Sequence, residues 1–582
     1  MRNRTTSPLA KSVFQVGLVV QFLLTASARA SAQSGTAELP RTHKAEPTES
    51  TISVRDVMTR TYIIADDSMQ GRDTGRNGGL RSAKYIAGEL KRLGLEPAGD
   101  GGTFLQAIPW LNLRPNTANE LNVGPKVYKS PTDFLLIPRV GLQVFLNGQP
   151  YGATFSGSNV ATVYGGRIGD ATIDPNDVKG NVVVFAAAKD NASFAFWQRD
   201  NLRRYRDAKA ILVAVLDLAP TNNPYRNARD TYWDSTGRAE AKPMSVIAIT
   251  NAVGDEIFGA TLASVAIGTG GKSIGGTVDY VITPTEAPAY NVVGIIRGTD
   301  AKLNKSYLAV GMHHDHIGIT RPVDHDSIRA FNLVMRERGG DDPPPRQVSE
   351  EQWATIRGKI DSLHKLHGGA RLDSINNGAD DDGSGTVLGL EIAEAMIAKN
   401  ARPKRSLLFV FHTAEEKGLY GAQYFSDHPT VVRDSIVAQI NMDQMGRGDP
   451  IDKPAGGTNS IALIGSRRLS TELGDLAETV SNRPAYQFKL DYEFDRNGDP
   501  TQGYCRSDHY MYARYGIPVT FFSAAAWHID YHMVSDEAQY IAYDRMTKIG
   551  NYIRDYIEAV ANLGHRPLVD KPKPDPLGTC KQ

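Results

Sequence analysis

Thiols are almost absent: 582 residues contain two cysteines, Cys505 and Cys580. A zinc site built from thiolates is thereby excluded, so any metal must be held by histidines and carboxylates. An excess of charge is absent too, with 65 Lys+Arg against 65 Asp+Glu. A general nucleic-acid surface needs a basic excess to neutralise phosphates, so no nucleic-acid partner is expected. Long apolar runs are missing beyond the N-terminus, so no membrane association is expected once the leader is removed. There are no internal repeats, which excludes a solenoid.

What is present begins with a leader. Arg2, Arg4 and Lys11 precede an uncharged, mostly apolar stretch from Val13 to Ala26, and Ala30-Ser-Ala32 fits a small-residue cleavage site. Residues 1–32 therefore read as a signal peptide, and the mature chain is expected to be periplasmic or secreted. That compartment permits a disulfide between Cys505 and Cys580, although sequence alone does not show that they meet.

The remaining length exceeds one ordinary domain of about 100–200 residues. Residues 33–132 begin with a loose leader and then turn helical, with Ala83, Ile86, Ala87, Leu90 and Leu93 on one face and Gly94 as a stop. Residues 133–275 carry short β-rich runs such as Val182–Phe185, Ala210–Val215 and Ser245–Thr250, and read as an inserted β-rich domain. From 276 to 565, buried-type strands at Tyr307–Gly311, Ser406–Phe411, Ile436–Met442 and Ile517–Phe522 alternate with helices such as Gly385–Ala398. This is the pattern of an α/β fold whose sheet is covered by helices on both faces. A C-terminal tail follows, 566–582. Within the α/β region, 320–373 is an insertion, either a surface elaboration or a lid. It holds a helix signal in which Ser349 and Gln352 form a capping box before Trp353, Ile356, Ile360 and Leu363, with Gly368-Gly369 ending the run.

Five short motifs fall at or just after strand ends, where open α/β sheets bind ligands. They are Gly311-Met-His-His-Asp-His316, Gly378-Ala-Asp-Asp-Asp-Gly-Ser-Gly385, Thr413-Ala-Glu-Glu-Lys-Gly418, Asn441-Met-Asp443 and Asp530-Tyr-His-Met-Val-Ser-Asp536. A histidine two residues before an aspartate can bind a metal while the carboxylate accepts its other ring N–H. Adjacent glutamates can divide labour between metal and proton. Each motif is weak alone. Their joint order gives an all-N/O ligand set suited to catalytic zinc.

In order and wording these motifs resemble the di-zinc exopeptidase family that includes bacterial leucyl aminopeptidases, aminopeptidase Y and glutamate carboxypeptidase. Asp67-Ser-Met-Gln-Gly-Arg72 and Tyr85–Leu90 followed by Gly94-Leu-Glu-Pro97 resemble that family's N-terminal segment, and Asn291-Val-Val-Gly294 its re-entry strand. The resemblance implies a zinc exopeptidase-like fold with a mixed, mostly parallel sheet, and makes the β-rich insertion a protease-associated domain. It implies two Zn2+ per chain that activate a water against peptide substrates: His313 and Asp443 would hold one, Glu416 and His532 the other, and Asp380 would bridge them. Glu415 would be the general base and acid, Tyr531 would donate to the oxyanion, and Asp315 would orient His313. The Asp380–Asp381 peptide would be cis, as in relatives. Arg506, Asp508 and His509 would line the pocket. His314 and His316 leave the first ligand ambiguous, the family wording selecting His313; His528 and Asp530 would sit behind the site or on its rim. Asp443-Gln-Met-Gly-Arg-Gly448 resembles the aminopeptidase version of its motif, with Arg447 and Arg506 the remaining candidates to clamp a substrate carboxylate. An aminopeptidase is therefore expected. The alternatives are a carboxypeptidase or dipeptidase of the same family, a one-zinc glutaminyl cyclase, or a non-catalytic receptor-like relative.

Overall fold

The computed structural model describes residues 38–136, 154–187, 204–218, 229–232, 245–336, 347–398, 402–448, 459–523, 528–576 and 580–582. The expected signal peptide, 1–32, lies outside them. Residues 40–582 form one compact unit.

Its centre is a mixed sheet of nine strands. Four run parallel side by side in the order Ser406–His412, Tyr307–His313, Ile436–Met442, Val519–Ser523. Ala289–Ile296 flanks them antiparallel on one side and Ser460–Ile464 on the other. Every residue of Ser406–His412 and Ile436–Met442 is buried, because helices cover both faces and leave neither side of these strands open to water. On one face, Leu419, Ala422, Phe425 and Tyr510–Ala513 pack onto Val293, Ala309, Leu408, Val410 and Val519. On the other lie the helices Val54–Ile64, Asn77–Leu93, Gly383–Ala398 and Tyr543–Ala561. Gly383–Ala398 is buried almost throughout, and its two acids, Glu391 and Glu394, are held by the buried guanidinium of Arg60. Helix Asn77–Leu93 ends where expected, at Gly94 in the left-handed region at φ 80°. The expected α/β class, with a mostly parallel core and helices on both faces, is what the chain forms.

The β-rich unit begins earlier than the pattern at 133 indicates. Its eight-stranded sheet takes in Glu120–Val123 and Lys126–Lys129 as well as Phe134–Leu136, Phe155–Arg167, Val182–Ala186, Ala210–Ala214, Val246–Ile249 and Gly270–Val278. Strands Trp110–Pro115 and Tyr280–Pro284 pair antiparallel, so the chain leaves and re-enters the α/β part through one ribbon. Val182–Ala186, Ala210–Ala214 and Val246–Ile249 run parallel and fully buried at the heart of that sheet.

The insertion at 320–373 is a helical hairpin on a two-stranded stalk. Ile319–Asp324 pairs antiparallel with Leu372–Ile375, and helices His325–Met335 and Glu350–His367 lie between. The capping box at Ser349 and Gln352 forms in both directions, and Gly368 closes the second helix at φ 78°. Ala330, Met335 and Ile356 are the core of the hairpin.

Cys505 and Cys580 are bonded, with Cα atoms 5.9 Å apart, and the side chain of Gln582 then bonds to Phe494, Arg496 and Tyr504. The bridge closes a loop of 75 positions beside the ligand-bearing end of the sheet. Replacing both cysteines by serine should lower the unfolding free energy by about 2–4 kcal/mol. Urea unfolding of the oxidised parent and the double variant measures this; coincident midpoints would contradict it.

Candidate metal centre

The motifs converge at the carboxyl ends of the four parallel strands. His313 ends its strand, Asp443 follows Met442 directly, and Glu415 and Glu416 lie on the turn after His412. His532 sits on the loop beyond Val519–Ser523, at φ 57°.

His313 Nε2 lies 3.3 Å from Asp381 Oδ1 and 3.6 Å from Asp443 Oδ1. His532 Nε2 lies 3.1 Å from Asp381 Oδ2 and 2.9 Å from Glu416 Oε2. The residue between the two groups is therefore Asp381, one oxygen toward each, and not Asp380. Asp380 turns away: its Oδ1 accepts from Ser384 Oγ and the Gly446 amide, and its Oδ2 lies 3.6 Å from His528 Nε2. The cis peptide moves with this shift and joins Asp381 to Asp382. The physical reason is the capture of this turn by Asp536, whose carboxylate accepts the backbone N–H groups of Asp380 and Asp381 and so fixes which of three adjacent aspartates faces inward. Asp382, also buried, spends its carboxylate on the backbone N–H groups of His313, Gly385 and Gln444, which makes it a brace for the turn.

Asp315 faces His313 as expected, but mainly through its main chain: His313 Nδ1 is 3.2 Å from the Asp315 carbonyl and 3.7 Å from its Oδ1. The Asp315 carboxylate accepts from the Glu415 amide and from Thr74 Oγ1, tying the first motif to the third. Ser507 Oγ donates to Asp443 Oδ2 and leaves Oδ1 toward His313. Arg72, wholly buried, donates to the carbonyls of Ile64, His314, Asn377, Gly378 and Asp381, so one guanidinium holds the first two motifs together. Neither Ser507 nor Thr74 carries a local signal, and for Arg72 only the family-like wording Asp67–Arg72 pointed to the segment.

His314 is not part of the centre. Its ring lies on the other side of the strand end, near Ser82 Oγ and the Tyr290 carbonyl, and burial lowers it to about 4. His316, by contrast, returns to the centre, with Nδ1 2.6 Å from Glu416 Oε1.

The charges at the centre are lopsided. Burial alone would lower His313, yet Glu415 and Asp443 overcome it and hold the imidazole well above its ordinary value. His532 is likewise pushed up to about 10 against its burial by Glu416 and Asp381. Burial, with Asp443, Glu416 and Asp508 adding, pushes the Glu415 carboxyl well above its usual range, His313 opposing. Several atoms that nearly touch are not aligned as hydrogen bonds. Among the described residues, His313 Nε2, Asp381 Oδ2, Asp443 Oδ1 and His532 Nε2 are buried without a hydrogen-bond partner. Imidazole and carboxylate atoms that crowd together without bonding one another suit a cation placed between them.

A cavity opens beside this cluster. Asp381, Glu415 and Asp443 line one part, Ile464, Phe494 and Phe521 give it an apolar wall, and Arg506 and Tyr531 complete it. Arg506 Nη2 lies 3.5 Å from the Tyr531 hydroxyl, and the Tyr531 ring stacks on His532 at 3.8 Å. Asp508 and His509 do not line the cavity. The short helix His509–Ala513 turns them inward, where Asp508 lies 3.1 Å from His412 Nδ1 and His509 stacks behind Phe521 at 4.7 Å.

His528 and Asp530 are buried beneath the loop, not on a rim. Asp530 is gripped by Arg447 at 3.2 Å, by Ser535 Oγ at 2.7 Å, and by Arg329 and Asn332 from the first helix of the insertion. Arg447 is thus committed to an internal ion pair, and the insertion braces the segment that presents Tyr531 and His532. A second acid–histidine group, Asp324, Asp326 and His364, lies within the insertion. Its carboxylates are occupied by Ser327, His364, His367 and Arg371, which latch the two helices together.

A buried set of imidazole and carboxylate donors thus gathers at the strand ends, beside a glutamate with no place in that set and an open cavity, an arrangement suited to holding a metal ion. Residues 291–557, the segment that supplies every donor, match the model of peptidase family M28. Leucine aminopeptidase 1 of Fusarium vanettenii is 28% identical over 249 residues, 38% of this chain and 58% of that protein. Vacuolar membrane protease of Sclerotinia sclerotiorum is 28% identical over 170 residues, 28% of this chain and 14% of that protein. The chain thus spans little more than half of one relative and a small part of the other. Among solved structures, an aminopeptidase from Aneurinibacillus sp. strain AM-1 superposes with a TM-score of 0.44 at 17% identity, covering 90% of this chain and 97% of that one.

The grip on Asp530 predicts a measurable coupling. Arg329→Leu leaves a buried carboxylate short of one cationic partner and should destabilise the fold by roughly 3 kcal/mol. Urea unfolding reads the loss; a variant as stable as the parent would show that the insertion does not brace the loop.

Proposed function

We propose that the protein is a zinc-dependent aminopeptidase that removes N-terminal residues from peptides, with two Zn2+ per chain. The observation that carries this reading is the cluster around Asp381: His313 and Asp443 on one side, Glu416 and His532 on the other, with Glu415 and the cavity adjoining. In this reading His313, Asp381 and Asp443 would hold one cation, and Asp381, Glu416 and His532 the other. When bound, the cations polarise a water and the scissile carbonyl at neutral pH.

The chain's own groups supply the rest. Glu415 lies 3.9 Å from His313 Nε2 and adjoins the cavity, placed to take a proton from the attacking water and return it to the leaving amine. The Tyr531 hydroxyl, with Arg506 beside it, donates to the carbonyl oxygen as charge develops there. The apolar wall of Ile464, Phe494 and Phe521 receives the side chain of the residue being removed, favouring a large apolar one.

The direction of attack follows from charge. A substrate carboxylate needs a fixed cationic clamp, and Arg447 is already spent on Asp530, which leaves Arg506. The acids lining the cavity suit a substrate amine. A carboxypeptidase of the same family is the reading that Arg506 would favour. The β-rich unit we read as a protease-associated domain, and the N-terminal leader as an export signal to the periplasm or medium. No helix among the described residues is long and apolar enough to cross a membrane.

Two measurements test the assignment. A peptide amidated at its C-terminus should be cleaved, while its N-acetylated counterpart is spared; the opposite outcome moves the protein to carboxypeptidase chemistry. Glu415→Gln should keep its zinc by elemental analysis yet lose at least ~10²-fold in kcat. Glu416→Gln should instead lose zinc, and exchanged phenotypes would reverse the two roles.

A further inference from the structure

The mechanism above leaves one buried imidazole at the centre unused. His316 lies just past the strand end, three residues beyond His313, and is wholly buried. Its Nδ1 is 2.6 Å from Glu416 Oε1 and 3.9 Å from Asp381 Oδ2. These are the same two carboxylates that His532 Nε2 meets from the other side, at 2.9 and 3.1 Å. The rings of His316 and His532 stand 5.7 Å apart and inclined at 66°, flanking the two acids.

We propose that His316 is a further protein ligand, through Nδ1, to the cation held by Asp381, Glu416 and His532. This rests on the two-cation reading of the centre. Four donors at bonds of about 2.0–2.1 Å in a tetrahedron lie about 3.3 Å apart. The separations of the two imidazoles from the Glu416 and Asp381 carboxylates run from 2.6 to 3.9 Å and bracket that edge.

The backbone fixes the ring in place. A Cβ on Gly378, whose φ is +56°, would stand 2.6 Å from Cγ and Cδ2 of His316, so the glycine is what lets the imidazole lie there. The Arg72 carbonyl accepts from the His316 amide, while the Arg72 guanidinium donates to the Gly378 carbonyl. One buried residue thus positions both the ring and the turn it packs on.

The consequence is an asymmetric pair. One cation would have four protein donors, as closed sites do, and the other only three, from His313, Asp381 and Asp443. The four-donor position should fill first, and the three-donor position keeps its opening toward Glu415 and the cavity.

The test counts ligands directly. The full-length mature protein is loaded with two equivalents of Co2+, and the strongly shifted proton NMR signals of metal-bound imidazoles are compared with those of His316→Ala. Three bound imidazoles in the parent and two in the variant are expected, together with a loss of at least ~10-fold in Co2+ affinity at one site only. Two imidazoles in the parent would overturn the proposal, and that spectrum needs no variant to fold. Failure of the parent to take up two Co2+ would instead refute the two-cation reading beneath it.

Discussion

Carboxylates taken out of water and crowded together repel one another, and everything at the sheet's carboxyl end is arranged around that cost. The buried acids are handled in two ways. Asp382, Asp536 and Asp315 are satisfied by backbone amides or a hydroxyl and serve as braces. Asp381 and Asp443 each keep an oxygen directed at an imidazole without an aligned hydrogen bond, while Glu416 is bonded through Oε1 to His316 and turns Oε2 toward His532. Arg72 adds a buried positive charge among them, yet its donors go to main-chain carbonyls, so it steadies the turns without capping the open acids. What remains is a field that the histidines alone answer by holding protons, as His532 does when pushed up to about 10. A divalent cation answers it better.

The sheet and its helices were legible because their signals are local. Ser406–Phe411 and Ile436–Met442 are apolar runs of the kind buried on both faces, and Ser349 with Gln352 announces a helix start without help from elsewhere. The order of the five motifs survived for the same reason, since each follows a strand. The register within Gly378–Gly385 did not. Three adjacent aspartates are equivalent on paper, and only Asp536, more than 150 positions away, decides which faces the histidines. Asp508 and His509 failed similarly, because the sense of a five-residue helix is set by what it packs on. The early strands at 120–129 carry several exposed residues and declare themselves only by pairing.

The insertion shows how distant sequence can serve a site without touching substrate. As a lid it would close over the cavity; instead its first helix sends Arg329 and Asn332 beneath the loop that carries Tyr531 and His532. Precision at a metal centre depends on the groups behind the ligands as much as on the ligands. Asp530 is such a group, joining that helix, Arg447 and Ser535 at one buried carboxylate.

The central claim is that Asp381 stands between two cation positions. Anomalous difference density recorded at the zinc edge from crystals of the purified protein tests it most directly. The account predicts two peaks, one on each side of the Asp381 carboxylate, the first against His313 and Asp443 and the second against Glu416 and His532. A single peak, or one placed between Asp380 and His528, would contradict it.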